Sequence, residues 1–482
     1  MRTKINVQPE FDFEPSHLKV TNAYYAKYEE ISTLLDAHPR IVDLVHHDLK
    51  DSLQALNDQS QAKKGGSTFQ YTSDTVLRIL LCQMIEGLSF RGVVVRVDDS
   101  HCLRRFVRIY SGPMLDFTTL CILKNAIGAN RWKQVNEELA RGAIEKNLIT
   151  GEALRLDTTA VETHIHWPTD SSLLWDTYRV LARLIKQARR IDSASIDSAS
   201  IGSKRLGSKR LLTRKAKRIH AKIARKVSKN ARLSEAIKTL YSSLIGLVYR
   251  LCEWSAEVAA HLERSISRGR YDVMDSAFAQ AIIEKVNHHR ALGARVMDQT
   301  QRRVFNDEKV PNDEKLFSIF EPHTELLKRG KAGKAIEFGH MVEIEQVAQK
   351  FITNYAAYEH KPVEHQLVSP ALDHHKNLFG HDPEWLAADK GYYLTEQMDA
   401  LRERVEVVSI AKKGKRTEEE TRREEDPLFR HAQRFRAGIE GTISFLKRTL
   451  GMFRCHNKTW EHYEATIGLT VLAHNLLTLS RW

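Results

Sequence analysis

The chain has 482 residues, 42% of them apolar, and carries a formal net charge of +13. That length supports two or three domains with a sizeable core, and the positive balance points to a polyanionic partner, with DNA or RNA first. No window offers about 18 uninterrupted apolar residues, so no membrane span is expected. The five cysteines are scattered and form no CxxC pair, which argues against a disulfide framework and fits a reducing cytoplasm. The opening MRTKINVQPEFDFEPS has no apolar h-region, so no secretory signal is expected.

Residues 1–70 read as an extension with one helix, roughly Ala23 to Leu35, and a polar linker, QSQAKKGGST. A helical block follows over 71–150. Thr72 or Ser73 can cap a run carrying Leu77, Leu80, Leu81, Met84 and Ile85. Further helices are predicted around Cys102–Tyr110 and Thr118–Leu139, the latter announced by Asp116. The block is either a DNA-docking domain or a plain helical scaffold.

The remainder, 151–482, begins with a strand in LRLDTTAV. Alternation puts Leu154, Leu156, Thr158 and Ala160 on one side and Asp157, Thr159 and Val161 on the other. A long helical insertion is predicted at about 172–310. Within it Leu233, Ile237, Leu240, Leu244, Leu247, Leu251, Trp254 and Val258 alternate spacings of four and three, a coiled-coil seam that packs on another helix of the insertion.

Just ahead of the seam, residues 198–234 hold 13 Lys and Arg and no acid. Two tandem pentapeptides, IDSASIDSAS and GSKRLGSKRL, mark a tolerant loop there and supply Lys204, Arg205, Lys209 and Arg210. A helix then carries Arg214, Lys215, Lys217, Arg218, Lys222, Arg225 and Lys226. So local a concentration of cations suits phosphate contact. A solubilising helix face is the alternative.

Strand-like runs return in KLFSIFE, KAIEFGHMVEIEQ and KPVEHQLVS, with KRGKAGK as a turn. HDPEWLAADKGYY adds a strand, a helix follows from about Thr395 to Arg404, then VEVVSI and a long final helical stretch. This order predicts an α/β fold, a mixed sheet with helices on its faces.

Three acids stand out. Asp157 sits in the first strand, and Asp389 closes EWLAADKGYY. Glu440 lies four residues after Arg436 and seven before Lys447, so helical spacing puts cation, acid and cation on one face. Carboxylates suit Mg²⁺, a hard, oxygen-seeking ion. Two such ions roughly 3.5–4 Å apart can activate an attacking oxygen and stabilise a leaving one. Gly391 permits a sharp exit after Asp389, and Gly438 and Gly441 leave room beside Glu440 for a DNA backbone. Glu162, Asp170 and Asp382 lie close by, and spacing alone does not separate them from the chosen three. No GxxxxGK[ST] or GxGxxG motif supports a nucleotide cofactor, no HExxH or Cys–His spacing supports zinc, and no GxSxG elbow supports a serine hydrolase.

These residues resemble a family. LRLDTTAVETHIHWPTDSSLLWD is similar to the first-aspartate region of bacterial insertion-sequence DDE transposases. LAADKGYYLTE is similar to their second-aspartate motif. RFRAGIEGTISFLKRTLGMFRC resembles their glutamate helix, with Arg436, Glu440 and Lys447 at matching positions. The tyrosine often found three residues before that arginine is Gln433 here. TVLRILLCQMIEGLSFRGVVVRV with DFTTLCILKNAI resembles the helical N-terminal domain of the same enzymes.

The resemblance implies an RNase H-like catalytic fold and Mg²⁺ held by Asp157, Asp389 and Glu440, two ions with Mn²⁺ as substitute. It also implies binding of terminal inverted repeats and target DNA, assembly as a homodimer on DNA, and a place at the bacterial nucleoid. A metal-dependent nuclease or resolvase, a non-catalytic DNA-binding derivative and a coiled-coil scaffold are the competing readings.

Overall fold

A computed structural model describes residues 18–62, 71–110, 112–192, 210–226, 234–328 and 335–481. The KRGKAGK turn, most of the two pentapeptide repeats, Lys204, Arg205, Lys209 and Leu233 fall outside them. The described chain forms two compact units, Met1–His164 with Gly339–Trp482, and Ile165–Phe338. Among the described residues no helix is long and apolar enough to cross a membrane, and all five cysteines are free thiols.

Among its described residues the first unit opens with seven helices: α1 (Lys19–Ala37), α2 (Pro39–Ala62), α3 (Ser73–Ile85), α4 (Phe90–Asp99), α5 (His101–Phe106), α6 (Phe117–Ala126) and α7 (Ala129–Glu145). The expected single N-terminal helix is thus two, and both bury apolar residues, Ile31, Leu35, Val45 and Leu49 among them, in the same core as α3–α7. Thr72 does cap α3, accepting from the Thr75 N–H at 3.2 Å, and Asp116 caps α6, accepting from the Thr118 N–H at 2.8 Å. The helix expected over 118–139 breaks at Ile127–Gly128, where the Gly128 N–H donates to Asp48 Oδ2 at 3.3 Å. Arg78 has no exposed side-chain surface and is bound by Asp74 at 2.7 Å and Asp36 at 2.8 Å, which ties α1 to α3.

The sheet follows as β1 (Ala153–Thr163), β3 (Ile336–Val347), β4 (Ile352–Tyr358), β5 (Trp385–Ala388), β6 (Val407–Ile410) and the short β7 (Arg454–Cys455). A further strand, β2 (Glu325–Lys328), belongs to the second unit. β4 pairs with β3 and β3 with β1, both antiparallel, while β1, β5 and β6 run parallel. The spatial order is therefore β4-β3-β1-β5-β6, with β7 parallel to the end of β1. This mixed sheet is the RNase H-like arrangement.

Helices cover both faces. α12 (Val368–Phe379) and α13 (Thr395–Arg404) pack with Leu154, Leu156, Leu386 and Ile410 on one. On the other lie α15 (Pro427–Arg448), preceded by the short α14 (Glu418–Glu425), and α16 (Trp460–Leu479). α16 is apolar all round and buried along most of its length, packing against α3, α7 and β4. KPVEHQLVS, expected as a strand, is instead a 3-10 turn (Glu364–Leu367) running into α12. Val363 and Leu367 in this run, with Ala371 just past it, repeat every four, a helical period that the alternating reading missed. The strand in this region is β4, ITNYAAY, just upstream.

The second unit contains α8 (Asp170–Ile191), α9 (Thr213–Lys226), α10 (Glu235–Ser267) and α11 (Val273–Val304), packed around one core. The seam residues from Ile237 to Val258 lie on α10 and face α8 and α11, so the seam closes within the insertion. KLFSIFE is not a strand. Ser318 Oγ accepts from the N–H groups of Phe320 and Glu321, Gln299 accepts from the Leu316 N–H at 2.9 Å, and Leu316 and Ile319 enter the helical core. Local side-chain bonds have replaced a ladder.

Asn475 of α16 both donates to the Ile352 C=O at 2.8 Å and accepts from its N–H at 2.9 Å, as a neighbouring strand would. Asn475→Ala orphans two buried backbone groups, so a loss of about 1–3 kcal/mol per group is expected in urea unfolding.

Candidate active site

Register decides the meeting of the two aspartates. β1 and β5 pair in parallel with Leu154 beside Leu386 and Leu156 beside Ala388. Asp157 is the next residue on β1, and Asp389 the next after β5 ends. Parallel neighbours lie about 4.8 Å apart and matched positions share a face, so the ladder ends with Asp157 and Asp389 as the next residue on each side, and Asp389 turns its carboxyl to the Lys390 N–H at 2.7 Å. Asp157 is the one partly exposed position in an otherwise buried strand.

The third acid arrives on α15. Asp426 caps this helix, accepting from the Leu428 N–H at 2.7 Å, with Pro427 in its first turn. Phe429, Ala432, Ile439, Thr442 and Leu446 are its buried positions. Arg155, two residues before Asp157 on the same face of β1, fixes the helix on the sheet. It donates to the Phe435 C=O at 2.6 Å and lies 4.6 Å from the centre of the Phe435 ring. A Cβ at Gly438 would overlap this guanidinium. Gly438 is therefore small for the sake of the sheet beneath it and not for DNA, whereas Gly441 faces open space. Gln433 donates to the Ser409 C=O of β6 at 2.7 Å, a further tie between helix and sheet.

Held this way, Glu440 points outward with 66% of its side chain exposed, and Arg436 pairs with it at 3.4 Å. Burial drives the Asp157 carboxyl up to about 6. The Thr158 N–H at 2.8 Å and the charge of Arg436 oppose that rise, and the charges of Asp389 and Glu440 add to it. All three acids and Arg436 thus share one electrostatic neighbourhood. Lys447, two turns along α15, is half-buried and is not among the strongest charges acting on Asp157.

The neighbouring acids that spacing could not exclude are each engaged by an arginine. Glu162 binds Arg454 at 2.6 Å, Asp382 binds Arg404 at 2.7 Å, and Asp170 binds Arg303 through both oxygens at 2.9 Å.

The donor set is three hard carboxylates, one of which, Asp157, is held where burial disfavours its negative charge, and such a set suits a divalent cation. As the side chains stand, no group of three His, Cys, Asp or Glu among the described residues is close enough to hold a metal ion. Asp389 accepts from its own Lys390 N–H at 2.7 Å, and Glu440 leans on Arg436. The β1–β5 register and the seating of α15 bring the three acids into one region, with the Asp389 and Glu440 side chains turned to these separate partners.

The basic helix belongs to the second unit. α9 buries Ala216, Ile219 and Ile223 and exposes Arg214, Lys215, Lys217, Arg218, Lys222, Arg225 and Lys226, with Arg210 exposed just ahead. Sequence reading missed two partners, Lys186 and Arg189 of α8, which join Arg210, Arg214, Lys215, Arg218 and Lys222 along a groove of about 930 Å³. Only the packing of α8 on α9 makes them neighbours. Arg155, too, was passed over, although an arginine inside a buried strand at the same alternation phase as Asp157 was a usable signal.

Residues 348–476 match the family model described as a transposase DDE domain. The match spans Asp389, Arg436, Glu440 and Lys447 and begins after β1, so Asp157 lies outside it. It supports the chain as a DDE transposase, as its motifs implied. A domain of this family implies a DNA substrate and a polynucleotidyl-transferase type of chemistry. No curated protein and no solved structure matches the chain.

The raised Asp157 carboxyl has a measurable consequence. An unfolded aspartate titrates near ~3.9, so the folded chain holds this proton more tightly. The associated stability is complete below about pH 4 and is lost as pH rises through about 6. Asp157→Asn removes that loss. In EDTA the variant should melt above the parent at pH 8 and with it at pH 4; equal melting at pH 8 places the carboxyl in water.

Proposed function

We propose that the protein is the DNA transposase of an insertion sequence, with Asp157, Asp389 and Glu440 as its metal-holding acids. The observation that carries this reading is the shared field of those three carboxylates and Arg436, set by the β1–β5 register and the seating of α15. Bound Mg²⁺ ions, or Mn²⁺ in their place, supply activation of an attacking oxygen and charge stabilisation of the departing one. The chain's own contribution is positioning and charge.

Asp157 must be deprotonated to serve, and a cation beside it offsets the burial that holds its proton. Arg436, with 19% of its side chain exposed, is poised by Glu440 to meet a phosphate, and Lys447 offers a second cation on the same helix face. Water opens the phosphodiester at the element's end, and the freed 3′-hydroxyl then attacks target DNA, one P–O bond forming as another breaks. No covalent link to the protein is needed.

The α9 cations, with Lys204, Arg205 and Lys209 ahead of them, grip flanking duplex in this reading. The helices of 71–150 serve as an N-terminal DNA-binding domain before the catalytic domain, 151–482. Two copies assemble on paired terminal inverted repeats, in the bacterial cytoplasm at the nucleoid.

Two experiments test this. Asp157→Asn should bind terminal-repeat DNA like the parent and lose Mg²⁺-dependent strand cleavage, and retained cleavage removes Asp157 from the site. Labelled ends in the same assay should become joined to target DNA; cutting without joining indicates a nuclease or resolvase instead. Replacing Lys215, Arg218 and Lys222 with Ala should weaken binding to all duplexes alike. It should also flatten the plot of log affinity against log salt by about 0.9 per lost phosphate contact.

A further inference from the structure

Behind the three acids, on the opposite face of β1, lies a group that no motif marks. Glu364 begins the 3-10 turn between β4 and α12. Its Oε1 accepts from the Thr158 hydroxyl at 2.9 Å. Thr158 is the residue whose N–H holds the Asp157 carboxylate at 2.8 Å. The other oxygen of Glu364, Oε2, lies against Gly391, where an added Cβ would overlap it. Gly391 is two residues past Asp389, on the 3-10 turn Lys390–Tyr392, and its φ is not in the left-handed region. The glycine is there to admit a carboxylate and not to permit a sharp exit from the strand.

The next residue, Tyr392, is 1% exposed, and its hydroxyl makes no hydrogen bond among the described residues. The charges of Glu343, Asp157 and Glu364 all act on it. The wall beyond is polar: Tyr358 donates to one oxygen of Glu343 at 2.5 Å, the other being buried with no partner among the described residues, and His374 pairs with Glu345 at 3.2 Å.

We propose that Glu364 is a positioning residue, a clamp that joins Thr158 of β1 to the Gly391 turn and so fixes the spacing of Asp157 and Asp389. This rests on the metal-holding role proposed above for those two acids. β5 is only four residues long and pairs with β1 through Leu156 and Ala388, and Asp389 stands beyond the last of those pairs. Past that point the ladder no longer fixes the Asp389 turn, and Glu364 supplies a contact on each side of the gap. Supporting groups of this kind typically change metal affinity by about 10–100-fold when removed.

The test uses the full chain, with Mn²⁺ binding measured by loss of the free-ion EPR signal, cleavage of terminal-repeat DNA in Mg²⁺, and melting temperature. Glu364→Ala should raise the half-saturating Mn²⁺ concentration at least about tenfold and lower kcat, with KM for DNA unchanged. Thr158→Val should do the same, and the double variant should be no worse than Glu364→Ala, because both cut one connection. Glu364→Gln keeps the length and an acceptor oxygen and should recover most of the binding.

Parental Mn²⁺ affinity in Glu364→Ala overturns the clamp. So does Glu364→Gln failing as badly as Glu364→Ala, which makes Glu364 a direct ligand. Should Glu364→Ala not fold, Thr158→Val and Gly391→Ala decide, since each disturbs one jaw alone; parental Mn²⁺ affinity in both overturns the proposal. A parent that binds Mn²⁺ through Asp157 yet cuts no DNA refutes the transposase reading while the clamp is still judged on Mn²⁺ affinity. A parent that binds no Mn²⁺ refutes both.

Discussion

The structure depends on one pairing. β1 lies at the centre of the sheet, and its parallel contact with the short β5 brings Asp157 and Asp389 to adjacent positions although 231 residues separate them in the chain. A slip of one residue would turn Asp157 to the face under α12 and α13, away from α15, and turn Leu154 and Leu156 out of the core they fill there. The register is held from both sides. Leu154 and Leu156 fill the core under α12 and α13, and the long antiparallel ladder with β3 fixes β1 along nine residue pairs from Leu154 to Glu162.

The same pairing explains the electrostatics. Burying a carboxylate disfavours its charge, and adding two more acids nearby compounds the cost. A fold that accepts this needs a return, and a divalent cation or a basic partner supplies one. Arg436 offsets part of it in the free chain. The contrast with Glu162, Asp170 and Asp382 is instructive, because each of those carboxylates has an arginine within hydrogen-bond reach. Of the three acids of the candidate site, Glu440 has Arg436 at 3.4 Å, while Asp157 and Asp389 accept from backbone N–H groups and pair with no arginine among the described residues.

α15 is where sequence and structure meet most closely. Its cap, its apolar stripe and the Arg436–Glu440 pair are all legible as local pattern. Its placement is not, since that depends on Arg155 reaching the Phe435 carbonyl, Gln433 reaching Ser409 and Thr442 bonding Gln346. Two of these ties come from side chains of other strands. The meaning of the glycines changes for the same reason: Gly438 makes room for Arg155 and Gly391 for Glu364, so both answer to partners far away in the chain.

Elements with strong local signals are legible along the chain: the caps at Thr72 and Asp116, the α10 seam and the amphipathic basic helix, as is the Arg436–Glu440 spacing. Those signals are local because capping and helical periodicity involve residues within a few positions of one another. KLFSIFE and KPVEHQLVS were misread, because a short apolar run has the same composition whether it becomes a strand, a turn or the start of a helix, and only its surroundings choose. The tertiary structure alone decided which acids share a field, which are taken by arginines, that Lys186 and Arg189 complete the basic groove, and that Glu364 stands between Thr158 and Gly391. Each is a juxtaposition of distant segments, fixed by sheet register and helix packing, and no spacing along a chain encodes it directly.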